Sequence, residues 1–271
     1  MSAKFILLIL ILAILIGCSS HDELQPPDNP FDPGNPDYVG PTAVIVSGPA
    51  EGEIIDTTAV TFVWEGNESA TEYRYKFDSP DWSDWNTATS HTFDYLDEGD
   101  HSFEVQVRSV NGDVQETPIL LDFVVDAVSG PSAIVFPYSQ KGSPGDTLIY
   151  QIIAEEVTDL FAVECNILIN ADYLELIEIV NGNIVDEWGG DPLVIDDITL
   201  SSASFSMVSV EGSNNSFSGT TSIISLITRI KTTVVLQSAI NVIEIPEIVF
   251  LEPNLSAIDV GQIRTGVLDG N

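Results

Sequence analysis

The chain has 271 residues, of which 42 are Asp or Glu and only 8 are Lys or Arg, so its formal net charge at pH 7 is −34. An acidic excess of this size argues against nucleic-acid binding, because phosphates are neutralised by Lys and Arg. It argues equally against a position flat on an anionic membrane surface. The charge favours solubility outside the cell, with divalent-cation binding as the functional alternative.

The N-terminus predicts export and lipidation. Lys4 precedes an unbroken apolar run at residues 5–16, which is typical of a signal peptide and shorter than the roughly 20 residues of a membrane-spanning helix. The run ends in Leu15-Ile16-Gly17-Cys18, which resembles the lipobox of bacterial lipoproteins. This resemblance implies removal of residues 1–17, lipidation of Cys18 and attachment to the cell envelope, at the outer membrane or cell surface, by lipid alone. An ordinary secretory signal followed by a chance cysteine is the alternative.

Residues 18–40 continue from the predicted lipidated cysteine as a tether. They are rich in Pro, Asp and Asn and have no hydrophobic period, so they cannot bury enough apolar surface to offset the entropy of ordering. We expect a disordered, extended spacer.

From residue 41 onward the pattern predicts an all-β protein. Helical periodicity is nearly absent, and short β-branched and aromatic runs recur between clusters of Gly, Pro, Asn and Asp. This pattern is typical of β-sandwiches. A break at residues 128–131 predicts two β-sandwich domains in series, at 41–127 and 131–271.

The first predicted domain, residues 41–127, carries alternating aromatic and basic side chains at 73–77, followed by Trp82 and Trp85 and then a strand at 99–108. This order resembles immunoglobulin-like and fibronectin type III modules, in particular the three-tyrosine β-sandwich of bacterial surface and sensor proteins. In that family, a W-S-x-W turn precedes a strand similar to the one at 99–108. The resemblance implies a spacer or a weak binding unit. Exposed tryptophans would also offer faces on which sugar rings stack, and capping of the sandwich is the alternative.

The second predicted domain, residues 131–271, resembles a cohesin domain in four segments. They are the turn Pro144-Gly145-Asp146, the strand end Asn170-Ala171-Asp172-Tyr173-Leu174-Glu175, the late strand at 222–231 and the closing segment at 263–268. Cohesins have a PGD entry turn, a Y-D-P-x-x-L-E strand end, a late strand ending in F-x-x-K and a closing x-G-x-V strand. Two departures are Asn170-Ala171 in place of Asp-Pro, and Thr228 in place of an aromatic residue. The resemblance implies a nine-stranded jelly roll that binds dockerin modules through one sheet face.

That face includes the strand matching residues 162–168. By alternation its outward side consists of Ala162, Glu164, Asn166 and Leu168. Glu164 falls where the family carries an acidic residue that accepts hydrogen bonds from the dockerin helix. Glu164 and Asn166 are therefore the first candidates for partner binding, and a role as solvated outer-face residues is the alternative.

No motif indicates catalysis or a metal site. Once Cys18 is lipidated, Cys165 is the remaining cysteine, so we expect no disulfide and no thiolate cluster, and alternation predicts a buried thiol. The chain has no Gly-x-Ser-x-Gly, His-Glu-x-x-His or phosphate-loop motif, and no Asp-x-Asp-x-Asp-Gly calcium loop. We therefore expect neither enzymatic activity nor a cofactor, and structural calcium has no support in the sequence.

The sequence thus predicts a lipid-anchored binding protein with a Pro-rich tether, an Ig-like spacer and a terminal cohesin-like module. Its partner would be a dockerin-bearing protein, such as a polysaccharide-degrading enzyme. Two other functions stay open. One is a carbohydrate-binding surface lipoprotein, in which Trp82, Trp85 or Trp188 contacts a polysaccharide. The other is a structural envelope protein without a specific ligand.

Overall fold

The structure is a computed structural model that describes residues 29, 32, 34–190, 192–199, 201–210, 215–233, 235 and 238–270. The predicted signal peptide and Cys18 lie outside these residues. The described residues form nineteen β-strands and one short helix, so the predicted all-β class is confirmed. Within the same ranges, no helix combines the length and apolar character needed to cross a membrane.

The first seven strands form two facing sheets, here called the N-terminal sandwich. One sheet has the antiparallel order β1-β3-β5, and the other has the order β2-β7-β6-β4, in which only β2 and β7 run parallel. The core between the sheets is aromatic, with Phe62 stacked on Phe103 at a centroid distance of 3.9 Å and Trp64 beside them. The strands are β1 (Ala43–Ser47), β2 (Ile54–Ile55), β3 (Ala59–Gly66), β4 (Glu72–Phe77), β5 (Ser90–Asp94), β6 (Gly99–Arg108) and β7 (Ile119–Val125).

The remaining strands form the C-terminal sandwich, with a five-stranded sheet β12-β15-β10-β8-β18 and a seven-stranded sheet β13-β14-β11-β16-β19-β9, in which β17 pairs with β16. The resemblance implies nine strands, whereas the described residues form twelve, of which β9, β17 and β18 are two or three residues long. The elements are β8 (Ser132–Phe136), β9 (Ser139–Lys141), β10 (Thr147–Leu160), β11 (Ala162–Ile169), β12 (Leu174–Asn181), α1 (Ile184–Glu187), β13 (Leu193–Ile198), β14 (Ser202–Val208), β15 (Phe217–Ile230), β16 (Ile240–Leu251), β17 (Ala257–Ile258), β18 (Gln262–Arg264) and β19 (Gly266–Asp269).

Two buried hydroxyl groups inside the C-terminal sandwich find backbone partners. The Tyr150 hydroxyl donates to the Val267 carbonyl at 2.8 Å, and the hydroxyl of the fully buried Thr228 donates to the Leu148 carbonyl at 3.2 Å. Thr228 replaces the family's aromatic residue, and the backbone acceptor satisfies its hydroxyl. At the PGD turn, Gly145 has a φ of +98°, a conformation that favours glycine.

Two expectations about the chain are corrected. Trp188 was expected as a possible polysaccharide contact, but its ring is buried beside α1 and its Nε1 donates to the Leu160 carbonyl at 3.0 Å. Residues 38–40, assigned to the disordered tether, contact the N-terminal sandwich instead. The Tyr38 hydroxyl donates to Asp113 at 2.8 Å, and the Gly40 carbonyl accepts from the Asn67 amide at 2.8 Å.

The two sandwiches meet at a buried arginine. The side chain of Arg264, on β18, is 7% exposed, and its Nη1 lies 2.7 Å from a carboxylate oxygen of Glu98. Its guanidinium lies 4.7 Å from the ring centroid of Tyr138. Asp97 accepts a hydrogen bond from the Tyr138 backbone N–H at 2.6 Å. Asp97 and Glu98 follow β5 in the N-terminal sandwich, while Arg264 and Tyr138 belong to the C-terminal sandwich. These contacts therefore join the two sandwiches directly.

Candidate binding face

Strand β11 lies between β14 and β16 in the seven-stranded sheet. Glu164 stands opposite Ser206 of β14 and Val249 of β16 in the ladder. Since strand side chains alternate between the two sides of a sheet, residues in register on the three strands share its outer side. This outer side of β14, β11 and β16 is here called the docking face.

A chain of side-chain hydrogen bonds runs across the docking face. The Ser204 hydroxyl donates to Asn166 Oδ1 at 2.7 Å, and Asn166 Nδ2 donates to Glu247 at 3.0 Å. The Asn166 amide is therefore held at both ends, and a flip would turn its oxygen toward the Glu247 carboxylate, which can only accept. The result is a line of polar groups fixed in place before any partner arrives.

The face has an acidic character. Around the hydrogen-bond chain lies a shallow cavity of about 260 Å³, and among the described residues its lining contains four carboxylates and no Lys, Arg or His. Its polar lining residues are Glu164, Asn166, Asp196, Asp197, Ser204, Ser206 and Glu247. Carboxylates and serine oxygens accept hydrogen bonds, so this surface suits a partner that presents N–H, O–H or ammonium donors.

The four β11 residues predicted to face outward differ in their exposure. Glu164 and Leu168 are exposed and Asn166 is half-buried, as the alternation predicts. Ala162 is the exception, because it is only 6% exposed. Its neighbours in the ladder are the larger residues Val208 and Leu251. Ala162 can therefore contribute little direct contact surface.

Sequence reasoning missed the partners of these residues. Ser204, Ser206 and Glu247 belong to no motif and join the face only through the pairing of β11 with β14 and β16. The alternation of serine with Ala203, Phe205 and Met207 in β14 was the available signal, because it puts the serines on one side of the strand.

Trp82 and Trp85 are half-buried rather than exposed, and cations cover their rings. Arg74 lies 4.7 Å from the ring centroid of Trp82 and 4.6 Å from that of Trp85. Lys76 lies 5.1 Å from Trp82, and Arg108 lies 4.7 Å from Trp85. Each ring thus has two cation–π contacts, and the five side chains form an alternating row over β4 and β6. Sugar stacking at these tryptophans stays a prediction, and it would require displacement of a cation.

The thiol of the remaining cysteine is buried. Cys165 is buried in the core under the docking face, and burial raises the pKa of its thiol to about 12. Such a thiol stays protonated and is a poor nucleophile. In the described part of the chain, no group of three or more His, Cys, Asp or Glu is placed to hold a metal ion.

No family profile and no curated protein matches the chain. Solved structures do match, and three of them are cohesins with the following similarities to this chain. A non-cellulosomal cohesin from the archaeon Archaeoglobus fulgidus is 16% identical, with a TM-score of 0.41 over 51% of this chain and 88% of that one. The sixth cohesin of Acetivibrio cellulolyticus scaffoldin B, solved with a mutant Cel5 dockerin, is 16% identical, with a TM-score of 0.44 over 53% of this chain and 100% of that one. A type II cohesin from the same organism's cellulosome is 12% identical, with a TM-score of 0.43 over 51% of this chain and 94% of that one.

Proposed function

We propose that this chain is a non-catalytic docking protein whose C-terminal sandwich binds a dockerin-type module of another protein through the docking face. The observation that carries the proposal is the hydrogen-bond chain Ser204–Asn166–Glu247 on an exposed, acceptor-rich sheet surface. The cohesin-like motifs of residues 131–271 supply the partner class.

Two physical features support docking on this face. The first is preorganisation, because the Asn166 amide already has its orientation and loses little freedom on binding. The second is charge, because a cavity lined by four carboxylates attracts a partner with a basic surface and speeds their encounter. Glu164 lies beside the hydrogen-bond chain with its carboxylate exposed, which fits the role of hydrogen-bond acceptor for a partner helix.

The proposed location of the protein is the cell envelope. Lipid on Cys18 would anchor the mature chain, and residues up to about 37 would separate the membrane from the N-terminal sandwich. The N-terminal sandwich would then act as a spacer. A partner enzyme bound at the docking face would be held near the cell without any catalytic group from this chain.

Direct binding measurements test the proposal. The full chain, extracted in detergent, is titrated by calorimetry with purified dockerin modules from the source organism's own genome and with the Cel5 dockerin that was solved with the scaffoldin B cohesin. Glu164→Arg places a positive charge in the acidic cavity and should weaken binding by about tenfold or more. Glu178→Arg is the matched control, because Glu178 is also an exposed strand glutamate but lies on β12 in the opposite sheet. Failure of every module to bind, or equal losses in the two variants, would overturn the proposal.

A further inference from the structure

A second cavity, distinct from the docking face, lies between the two sandwiches. It has a volume of about 760 Å³, within the range of small-molecule sites. One wall comes from β4, β5, β6 and the segment after β5, and the other comes from β9, residues 238–239 and the end of β19. Sites for small ligands occur preferentially at such junctions between domains. We call this cavity the junction groove.

One wall of the junction groove is rigid. The His101 ring is held from both sides, with Nδ1 at 2.6 Å from Asp78 and Nε2 at 2.9 Å from the Asp97 carbonyl. His91 stacks on Tyr75 at a centroid distance of 4.6 Å and shares a 3.0 Å hydrogen bond with its hydroxyl. Both histidines of the described chain therefore line this groove in fixed positions.

Charges of both signs line the groove. Lys141 and Asp269 form an ion pair at 3.4 Å on the C-terminal side, and Asp94 lies exposed on the N-terminal side. Burial, and then the charge of Lys141, lower the pKa of His91, so its ring is neutral at physiological pH and has one donor and one acceptor nitrogen. One lysine, paired with Asp269, faces four carboxylates in this lining, so an anionic ligand would be repelled: Asp78, Asp94, Asp97 and Asp269. A neutral ligand with many hydroxyl groups would find donors and acceptors for both of its hydrogen-bonding roles.

Aromatic rings supply the apolar part of the lining. Phe77 and Phe93 stack on one another at 4.2 Å, and both line the groove with Tyr95. Tyr95 has a φ of +60°, in the left-handed region that bulky residues rarely occupy. It is also 36% exposed, although its ring packs edge-to-face against Tyr138 at 5.3 Å. An exposed aromatic residue held in a strained conformation at the rim of a cavity points to a functional role.

We propose that the junction groove is a binding site for a neutral oligosaccharide. A sugar ring would pack against Tyr95, while its hydroxyls would bond to Asp94, His91 and Lys141. This site is separate from the docking face, so the chain would combine recognition of a protein with recognition of a glycan.

Calorimetric titration of the full chain with defined oligosaccharides tests this site. The probes are the neutral hexamers of cellulose, xylan, mannan and β-1,3-glucan, with a chitosan hexamer as cationic probe and an oligogalacturonate as anionic probe. We expect saturable binding of at least one neutral hexamer. Tyr95→Asn removes the ring but tolerates the left-handed backbone, and Asp94→Ala removes the exposed carboxylate. Each should weaken binding by about tenfold.

Two controls separate this site from other causes. Asp122→Ala removes an exposed strand aspartate from β7 of the same sandwich, away from the groove, and should leave the affinity unchanged. Glu164→Arg, which disrupts the docking face, should also leave saccharide binding intact, so the two proposals fail independently. Circular dichroism confirms that each variant is folded. The proposal is overturned if no neutral hexamer binds, if only a charged probe binds, or if both groove variants bind as well as the unaltered chain.

Discussion

Replacing Arg264 by methionine tests whether the buried arginine holds the two sandwiches together. Arg264 lies 2.7 Å from Glu98 and 3.7 Å from Asp97, and its guanidinium covers the ring of Tyr138. Methionine retains much of the side-chain volume, so the substitution removes the charge with little loss of packing. The two carboxylates are left facing an apolar group.

The expected loss follows from the partners that remain. Breaking a buried ion pair by removing one partner costs about 3–5 kcal/mol. Glu98 keeps a hydrogen bond from the Ala127 backbone N–H at 2.9 Å, and Asp97 keeps one from the Tyr138 N–H at 2.6 Å. These bonds compensate part of the charge left unpaired on the two carboxylates. We therefore expect a loss at the lower end of this range, about 3 kcal/mol. Loss of the contact with the tyrosine ring adds about 1 kcal/mol.

Urea unfolding followed by tryptophan fluorescence measures this loss, and Arg229→Met is the matched control. Arg229 pairs with Glu175 at 3.9 Å on the surface, where both side chains are about half exposed, so its loss should cost under about 1 kcal/mol. The double variant Arg264→Met with Glu98→Gln should be less destabilised than the sum of the single variants, because the unpaired carboxylate is gone. Equal effects of the two arginine substitutions, or strict additivity in the double variant, would refute the reasoning.

Two further predictions concern titratable groups. Burial alone would lower the pKa of His101, but its hydrogen bonds to Asp78 and to a backbone carbonyl outweigh burial and raise it. The folded state therefore binds the proton more tightly. This contribution to stability is fully present below about pH 6.5, the unfolded value, and is lost as pH rises through the folded pKa. His101→Gln should flatten the pH dependence of the unfolding midpoint in this range, and an unchanged slope would contradict it. Cys165, whose pKa burial raises to about 12, should resist iodoacetamide in the native chain and react after unfolding in urea. Mass spectrometry of the labelled chain detects either outcome.

Local alternation allowed the strand faces to be predicted. In β11, Val163, Cys165, Ile167 and Ile169 are buried, and Glu164 points outward, because a strand packed on one side repeats every two residues. The same rule places Tyr73 in the core of the N-terminal sandwich. Such assignments need only neighbouring residues, so they are available from the sequence.

Contacts between distant segments could not be predicted from neighbouring residues in this way. Ser204 and Glu247 lie 38 and 81 residues from Asn166, and their place on the docking face depends on strand register. Arg108 covers Trp85 only because β6 pairs with β4. The sequence showed a W-S-x-W turn but not the cations above it.

Basic residues are scarce in this chain, and those that the structure describes share one property. Seven of the eight lie in the described part of the chain, and each contacts a group within the fold. Three lie over the tryptophans, one joins the sandwiches, two form ion pairs on strands of the C-terminal sandwich, and one donates to a backbone carbonyl: Arg74, Lys76, Arg108, Arg264, Lys141, Arg229 and Lys231. None of them lines the cavity around Glu164 and Glu247. Among the described residues no basic side chain offsets its negative charge, which leaves that charge to attract dissolved ions or a partner.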